Sequence, residues 1–141
     1  MTLKKVFQTY KVDGVFKFIH TFIQADLSLF VDITEDYNVF HANKELAKQH
    51  GFEDLIIPGL LTASFVTHIG GLIRFPTMKV SFKFIKPVYV NDTITITATV
   101  IESNYEKKYM KTFGEYYNQN NIKVLRCKVS DYPSLIRLMP T

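Results

Sequence analysis

Asp36 and His41 flank the short run Asp36-Tyr37-Asn38-Val39-Phe40-His41, and after Gly51-Phe52 comes an apolar segment opening Pro58-Gly59-Leu60-Leu61. A carboxylate and an imidazole differ in pKa, so the two held together can trade protons with a bound molecule, as general acid–base catalysis requires. A glycine at the head of an apolar helix lets a ligand come close to the backbone. The pattern reads as a catalytic site set before a substrate-enclosing helix. The structural alternatives are that Asp36 ends a helix and that His41 is a hydrogen-bonded histidine near the start of the next one.

Hydrophobic period sets out the elements that must position these groups. Phe16, Phe18, His20 and Phe22 alternate with Lys17, Ile19, Thr21 and Ile23, which predicts a strand running directly into a helix from about Gln24 to Glu35. Leu27, Phe30, Val31 and Thr34 would form that helix's inner face. A second helix is expected from Asn43 as N-cap, through Glu45 and Lys48, to Gly51 just past its end. From Gly59 to Arg74 the residues Leu60, Leu61, Ala63, Phe65, Val66, Ile69, Leu72 and Ile73 put apolar side chains on nearly every side, the pattern of a helix buried all round. Gly70-Gly71 within it suits close packing, passage of a ligand or a kink.

A helix of that kind needs a sheet wrapped around it. Met78, Val80, Phe82 and Phe84 alternate with Lys79, Ser81 and Lys83, and Ile94, Ile96 and Ala98 alternate with the threonines at 93, 95, 97 and 99. Pro87 and Asn91-Asp92 punctuate the first connection. Asn118-Gln119-Asn120-Asn121 reads as a hairpin loop between strands near Tyr105 to Tyr117 and Ile122 to Tyr132. Consecutive strands without intervening helices imply antiparallel pairing, hence an α+β architecture.

In these features the chain resembles the MaoC-like, (R)-specific enoyl-CoA hydratase family, whose hot-dog fold wraps an antiparallel sheet around a long central helix. The resemblance rests on the Asp-x-Asn-x-x-His order at Asp36, Asn38 and His41, then Gly51-Phe52, then Pro58-Gly59-Leu60-Leu61-Thr62-Ala63-Ser64. It extends over roughly Phe16 to Val129, including Phe84-Ile85-Lys86-Pro87-Val88 and Asp92. Pro58 departs from the pattern, because the family usually has histidine before the helix glycine.

The resemblance implies a hydratase or dehydratase of 2-enoyl and 3-hydroxyacyl thioesters, carried on coenzyme A or an acyl-carrier protein. It implies that Asp36 and His41 form the catalytic pair and that the Gly59 backbone N–H receives the thioester oxygen, with no metal and no redox cofactor. Such a reaction exchanges one proton at the α-carbon and another at the β-oxygen, which two groups of different pKa can share. The residue types leave open which member handles which proton. Asn38 would hold the loop as an Asx turn, or be a turn residue and no more. Thr67 stands where the family often has a serine that bonds the carboxylate; a hydroxyl bonded to its own helix is the alternative. Phe30, Leu61, Ser64 and Phe65 are expected to line the substrate site, and Ser64 has no Gly-x-Ser-x-Gly elbow to make it a nucleophile. Two further readings are a hot-dog thioesterase and, because of Pro58, a non-catalytic acyl-thioester-binding module.

Composition narrows the field further. The 141 residues, 47% hydrophobic and 21% charged, fit one domain with a sizeable core. The net charge of +4 comes from scattered lysines and arginines without a dense basic run, which argues against nucleic acid. Lys83, Lys86, Lys107 and Lys108 are candidates for contacting the phosphates of a thioester carrier, with solvated strand faces as the alternative. Four scattered histidines and one cysteine offer no metal-ligand spacing and no intrachain disulfide, and Cys127 is expected as a buried thiol in a reducing cytoplasm. His20 and His68 read as packing or solvent residues. No segment reaches the length of a spanning helix; Met1 to Val12 carries three lysines without an acid, faintly like a transit peptide, but lacks arginine. Exposed sheet edges and the family resemblance imply a homodimer or a dimer of dimers.

Overall fold

The computed structural model describes residues 3–68, 71 and 77–131. Five strands form one antiparallel sheet: β1 (Val15–Thr21), β2 (Thr77–Phe84), β3 (Thr93–Asn104), β4 (Tyr109–Tyr117) and β5 (Lys123–Asp131), in the order β1-β3-β4-β5-β2. Strict alternation drives this arrangement. Ile94, Ile96, Ala98 and Val100 of β3, Met110 and Tyr116 of β4, and Leu125, Cys127 and Val129 of β5 are buried on one face, while the intervening threonines of β3 and the cations Lys111, Arg126 and Lys128 face outward. Against the buried face lie helices α1 (Leu3–Thr9), through Val6 and Phe7, and α2 (Gln24–Thr34), through Leu27.

Two short helices complete the site's frame. The helix α3 (Lys44–Gln49) starts where the Asn43 side chain accepts the Leu46 N–H at 3.0 Å and stops before Gly51, whose φ of 88° lies in the left-handed region that glycine adopts without strain. The helix α4 (Gly59–Ser64) follows Pro58 and buries Leu61, Thr62 and Ala63. Its Ala63 carbonyl accepts the Tyr116 hydroxyl at 3.3 Å, tying helix to sheet, and burial holds that phenol well above its ordinary pKa.

The structure departs from the sequence reading in four places. On α2, Thr34 is exposed and its hydroxyl donates to the Phe30 carbonyl at 2.7 Å, so the inner face stops at Val31. The apolar segment after Pro58 is not buried all round: Leu60 is 63% exposed, and α4 gives way at Phe65 and Val66 to a turn tightened by i−3 bonds. Residues 69–70 and 72–76, on which part of that reading fell, lie outside the described residues, as do those from Tyr132 onward. Tyr105 to Lys108 form a turn rather than the start of β4; Asn104 accepts the Lys107 N–H, and Lys108 has a positive φ of 51°.

Last, β2 pairs with β5 and not with its successor β3. The linker after β2 is held elsewhere. Ile57 N–H donates to the Val88 carbonyl at 2.7 Å, Val90 N–H to Leu55 and Asn91 N–H to Phe22, so it crosses beside the approach to α4.

Candidate active site

Asn38 builds the loop that carries the acid–base pair. Its side-chain oxygen accepts the Phe40 N–H at 3.1 Å and its carbonyl accepts the His41 N–H at 2.9 Å, capping the 3-10 turn Val39–His41. Asp36 joins the same turn, since its carboxylate accepts the Asn38 N–H at 3.3 Å. The Asx chemistry expected of Asn38 is therefore present at both Asp36 and Asn38.

His41 is fixed by a bond to backbone. Its Nδ1 lies 2.6 Å from the Ile56 carbonyl oxygen, which can only accept, so Nδ1 carries a proton. Neutral His41 is then left with a lone pair on Nε2, and Nε2 lies 3.6 Å from Asp36 Oδ2. That spacing is too long for a direct hydrogen bond but suits a molecule donating to both acceptors. The histidine side chain is 12% exposed and the carboxylate 45%, so the imidazole is walled in while the acid meets solvent.

The backbone that receives His41 leads straight to α4, because only Ile57 and Pro58 separate Ile56 from Gly59. Three peptide steps span at most about 11 Å. Among the described residues nothing accepts from the Gly59 N–H, whereas the Leu61 and Thr62 N–H groups both donate to the Pro58 carbonyl. Gly59 also lies close to Phe84: a Cβ there would sit 2.8 Å from that ring, so any larger residue must displace the half-exposed Phe84 side chain.

Gly59 and Phe84 open onto an apolar cleft of about 340 Å³ with Ile56, Thr62, Val88 and Leu125 among its walls and Lys86 at its edge. Asp36 and His41 do not line it; they meet it only through Ile56. None of Phe30, Leu61, Ser64 or Phe65 lines it either. Phe30 and Leu61 pack into the core, Ser64 donates to the Leu61 carbonyl at 2.7 Å, and Phe65 stacks beside His20 and His68 with ring centroids 4.4 and 5.5 Å away. Thr67 is exposed, and among the described residues no hydrogen bond joins it to Asp36. Of these residues only Phe65 and Thr67 follow the break after Ser64.

The candidate cations also separate. Lys86 borders the cleft, Lys83 lies in strand β2 at a different pocket beside Arg126, and Lys108 Nζ sits 3.3 Å from the centroid of the Tyr105 ring. His20, expected as a packing or solvent residue, has its Nε2 2.9 Å from Asp26 Oδ2. Burial works to raise the Asp26 pKa, but the Ile23 N–H and His20 outweigh it and hold the carboxyl below its ordinary value. The spacing of six residues across a strand-to-helix junction gave no periodic signal of that pair. No group of three metal-ligating side chains occurs among the described residues.

This sheet-and-helix arrangement is the hot-dog fold. The chain superimposes on an R-hydratase from Pseudomonas aeruginosa with a TM-score of 0.82, covering 90% of this chain and 84% of that one at 18% identity. An (R)-hydratase from A. caviae gives 0.81, covering 89% and 99% at 23% identity. Residues 6–120 match the MaoC like domain, and the chain belongs to that family. Among proteins similar in sequence are an (R)-specific enoyl-CoA hydratase from Rhodospirillum rubrum, 34% identical over 64% of this chain and 65% of that one, and a mitochondrial 3-hydroxyacyl-acyl-carrier-protein dehydratase from Solanum lycopersicum, 35% identical over 60% and 52%. The match thus spans between about half and two thirds of these relatives' length.

Proposed function

We propose that the chain is an (R)-specific hydro-lyase that adds water to 2-enoyl thioesters or removes it from 3-hydroxyacyl thioesters. The observation that carries this reading is the His41 Nδ1–H bond to Ile56, which leaves Nε2 as an acceptor beside the Asp36 carboxylate. The names of the similar proteins support the substrate class.

A water between Nε2 and Oδ2 gives one hydrogen to each. In hydration its oxygen bonds to C3 while one of the two acceptors takes its proton. The C2=C3 pair shifts to C1=C2 and the carbonyl π pair moves onto the thioester oxygen, which the Gly59 N–H receives; as that charge returns, C2 takes from the pair the proton removed from water, and both acceptors are restored. A preset donor of this kind is worth about 10²–10³ in turnover. Dehydration runs the same steps backward. Lys86 at the cleft edge suits an anionic carrier such as coenzyme A or an acyl-carrier protein.

The described chain acts as one domain, and we read it as a cytoplasmic homodimer or dimer of dimers. Strand β2 is a sheet edge flanked by the half-exposed Val80, Phe84 and Ile85, which favours association, and light scattering tests it. A buried thiol at Cys127 suits a reducing compartment. Among the described residues no helix is long and apolar enough to cross a membrane.

Loss of the enoyl-thioester absorbance of crotonyl-CoA, without release of free thiol, is the expected result. Thiol release would instead make the protein a thioesterase, and tight acyl-CoA binding without turnover a binding module.

A further inference from the structure

Apart from Lys86 at its edge, the cleft beside Gly59 has one polar side chain among its described walls. Thr62 is 1% exposed, lines the cleft, and has no hydrogen-bond partner for its hydroxyl among the described residues. A buried hydroxyl without a partner carries a desolvation cost of about 1–3 kcal/mol, so the fold gains nothing from oxygen over a methyl group here. Its own helix does not satisfy it: the Pro58 carbonyl one turn back already accepts from both Leu61 and Thr62 N–H. A polar atom delivered by a ligand would.

The position of that hydroxyl selects the atom. Thr62 stands three residues after Gly59, so the two share one face of α4, and helical side chains lean toward the N-terminus. Thr62 therefore stands on the Gly59 side of the helix, and Gly59 has no side chain to occupy the space between them. Both residues border the cleft. We infer that Thr62 donates a second hydrogen bond to the thioester oxygen received by the Gly59 N–H, making a two-donor site in an apolar wall. The inference rests on the assignment of that oxygen to Gly59. Beside apolar walls each fixed donor strengthens as negative charge gathers on the oxygen.

Thr62→Val keeps the shape and removes the donor, and Thr62→Ser keeps the donor and removes the methyl. With crotonyl-CoA, Thr62→Val is expected to lower kcat about 10- to 100-fold with KM within about 3-fold of the parent, while Thr62→Ser stays within about 3-fold in both. A melting temperature for Thr62→Val equal to or above the parent's accompanies that loss, which a purely structural role would not produce.

A binding comparison separates this inference from the proposed activity. Titrations use butyryl-CoA, which has the carbonyl, and its thioether analogue S-butyl-CoA, which lacks it. Thr62→Val should weaken the thioester about 5-fold or more and leave the thioether unchanged. Equal weakening of both ligands, parent-like hydration by Thr62→Val, or a Thr62→Ser variant as impaired as Thr62→Val overturns the inference. If the parent hydrates nothing, the hydro-lyase reading falls and the two titrations alone decide the role of Thr62. Binding of neither ligand by the parent removes both.

Discussion

The Nδ1–H of His41 donates to the carbonyl of Ile56 across 2.6 Å, and that bond ties the loop bearing the acid–base pair to the strand of backbone that becomes α4. One interaction thus sets the tautomer of the base and its distance from Gly59. The two members of the pair differ in how far they are built into the fold, which separates their variants.

Asp36→Asn retains a side-chain oxygen able to accept the Asn38 N–H, so the turn stays and the negative charge goes. Its crotonyl-CoA hydration should drop about 10²- to 10⁴-fold with an unchanged melting temperature. His41→Ala should lose as much activity and also destabilise, by about 1–3 kcal/mol, because it strands the partly buried Ile56 carbonyl. Steady-state kinetics with thermal denaturation tests the contrast.

Two asparagine caps allow a control within one chain. Asn38 caps the turn bearing His41 and Asn43 caps α3. Replacing either by alanine should cost about 1 kcal/mol in denaturant unfolding. Only Asn38→Ala should also reduce kcat, since only its cap orients the imidazole. Equal kinetic effects would separate the Asn38 turn from the chemistry.

Gly114 faces Cys127 across β4 and β5, and a Cβ added there would lie 2.6 Å from the thiol sulfur. Gly114→Ala should destabilise by about 1–3 kcal/mol through overpacking. Cys127→Ala in the same chain should recover part of that loss, a coupling that a double-mutant cycle reads directly.

Burial pushes the Cys127 thiol up to about 11. In the unfolded chain the same thiol ionises near pH 8.5. Between those values the unfolded state has released a proton that the folded state keeps, so stability is complete below about pH 8.5 and declines as pH rises toward 11. Unfolding curves from pH 8 to 11 should show a shallower decline in Cys127→Ala, and the native thiol should resist alkylation at pH 8.

Much of this molecule is legible where local chemistry decides. Asn43 and Gly51 bracket α3 because a side-chain cap and a left-handed glycine act within one turn of chain, and the threonine ladder of β3 declares its buried face by period alone. The Asp36, Asn38 and His41 grouping was visible for the same reason. What was not visible depends on distant partners. The pairing of β2 with β5 rests on contacts between Phe84 and Leu125 that no spacing announces. The break after Ser64 overrides an apolar run that reads as continuous helix, and with it Phe65 and Thr67 turn away from the cleft. Thr62 has no signal of its own in that run; its burial without a partner marks it.

The strand order has a consequence in time. Phe84, Lys86 and Val88 hold one side of the cleft, and β2 enters the sheet only through β5, whose partner residues lie 41 to 54 positions downstream. The turn around Asn38 closes within a few residues, whereas the cleft wall needs the β3-β4-β5 meander in place first, and such long loop closures are slow. Pulsed hydrogen exchange during refolding should protect the amides of β3 and β4 before those of β2. The machinery for moving protons would then be assembled before there is anywhere for a substrate to sit.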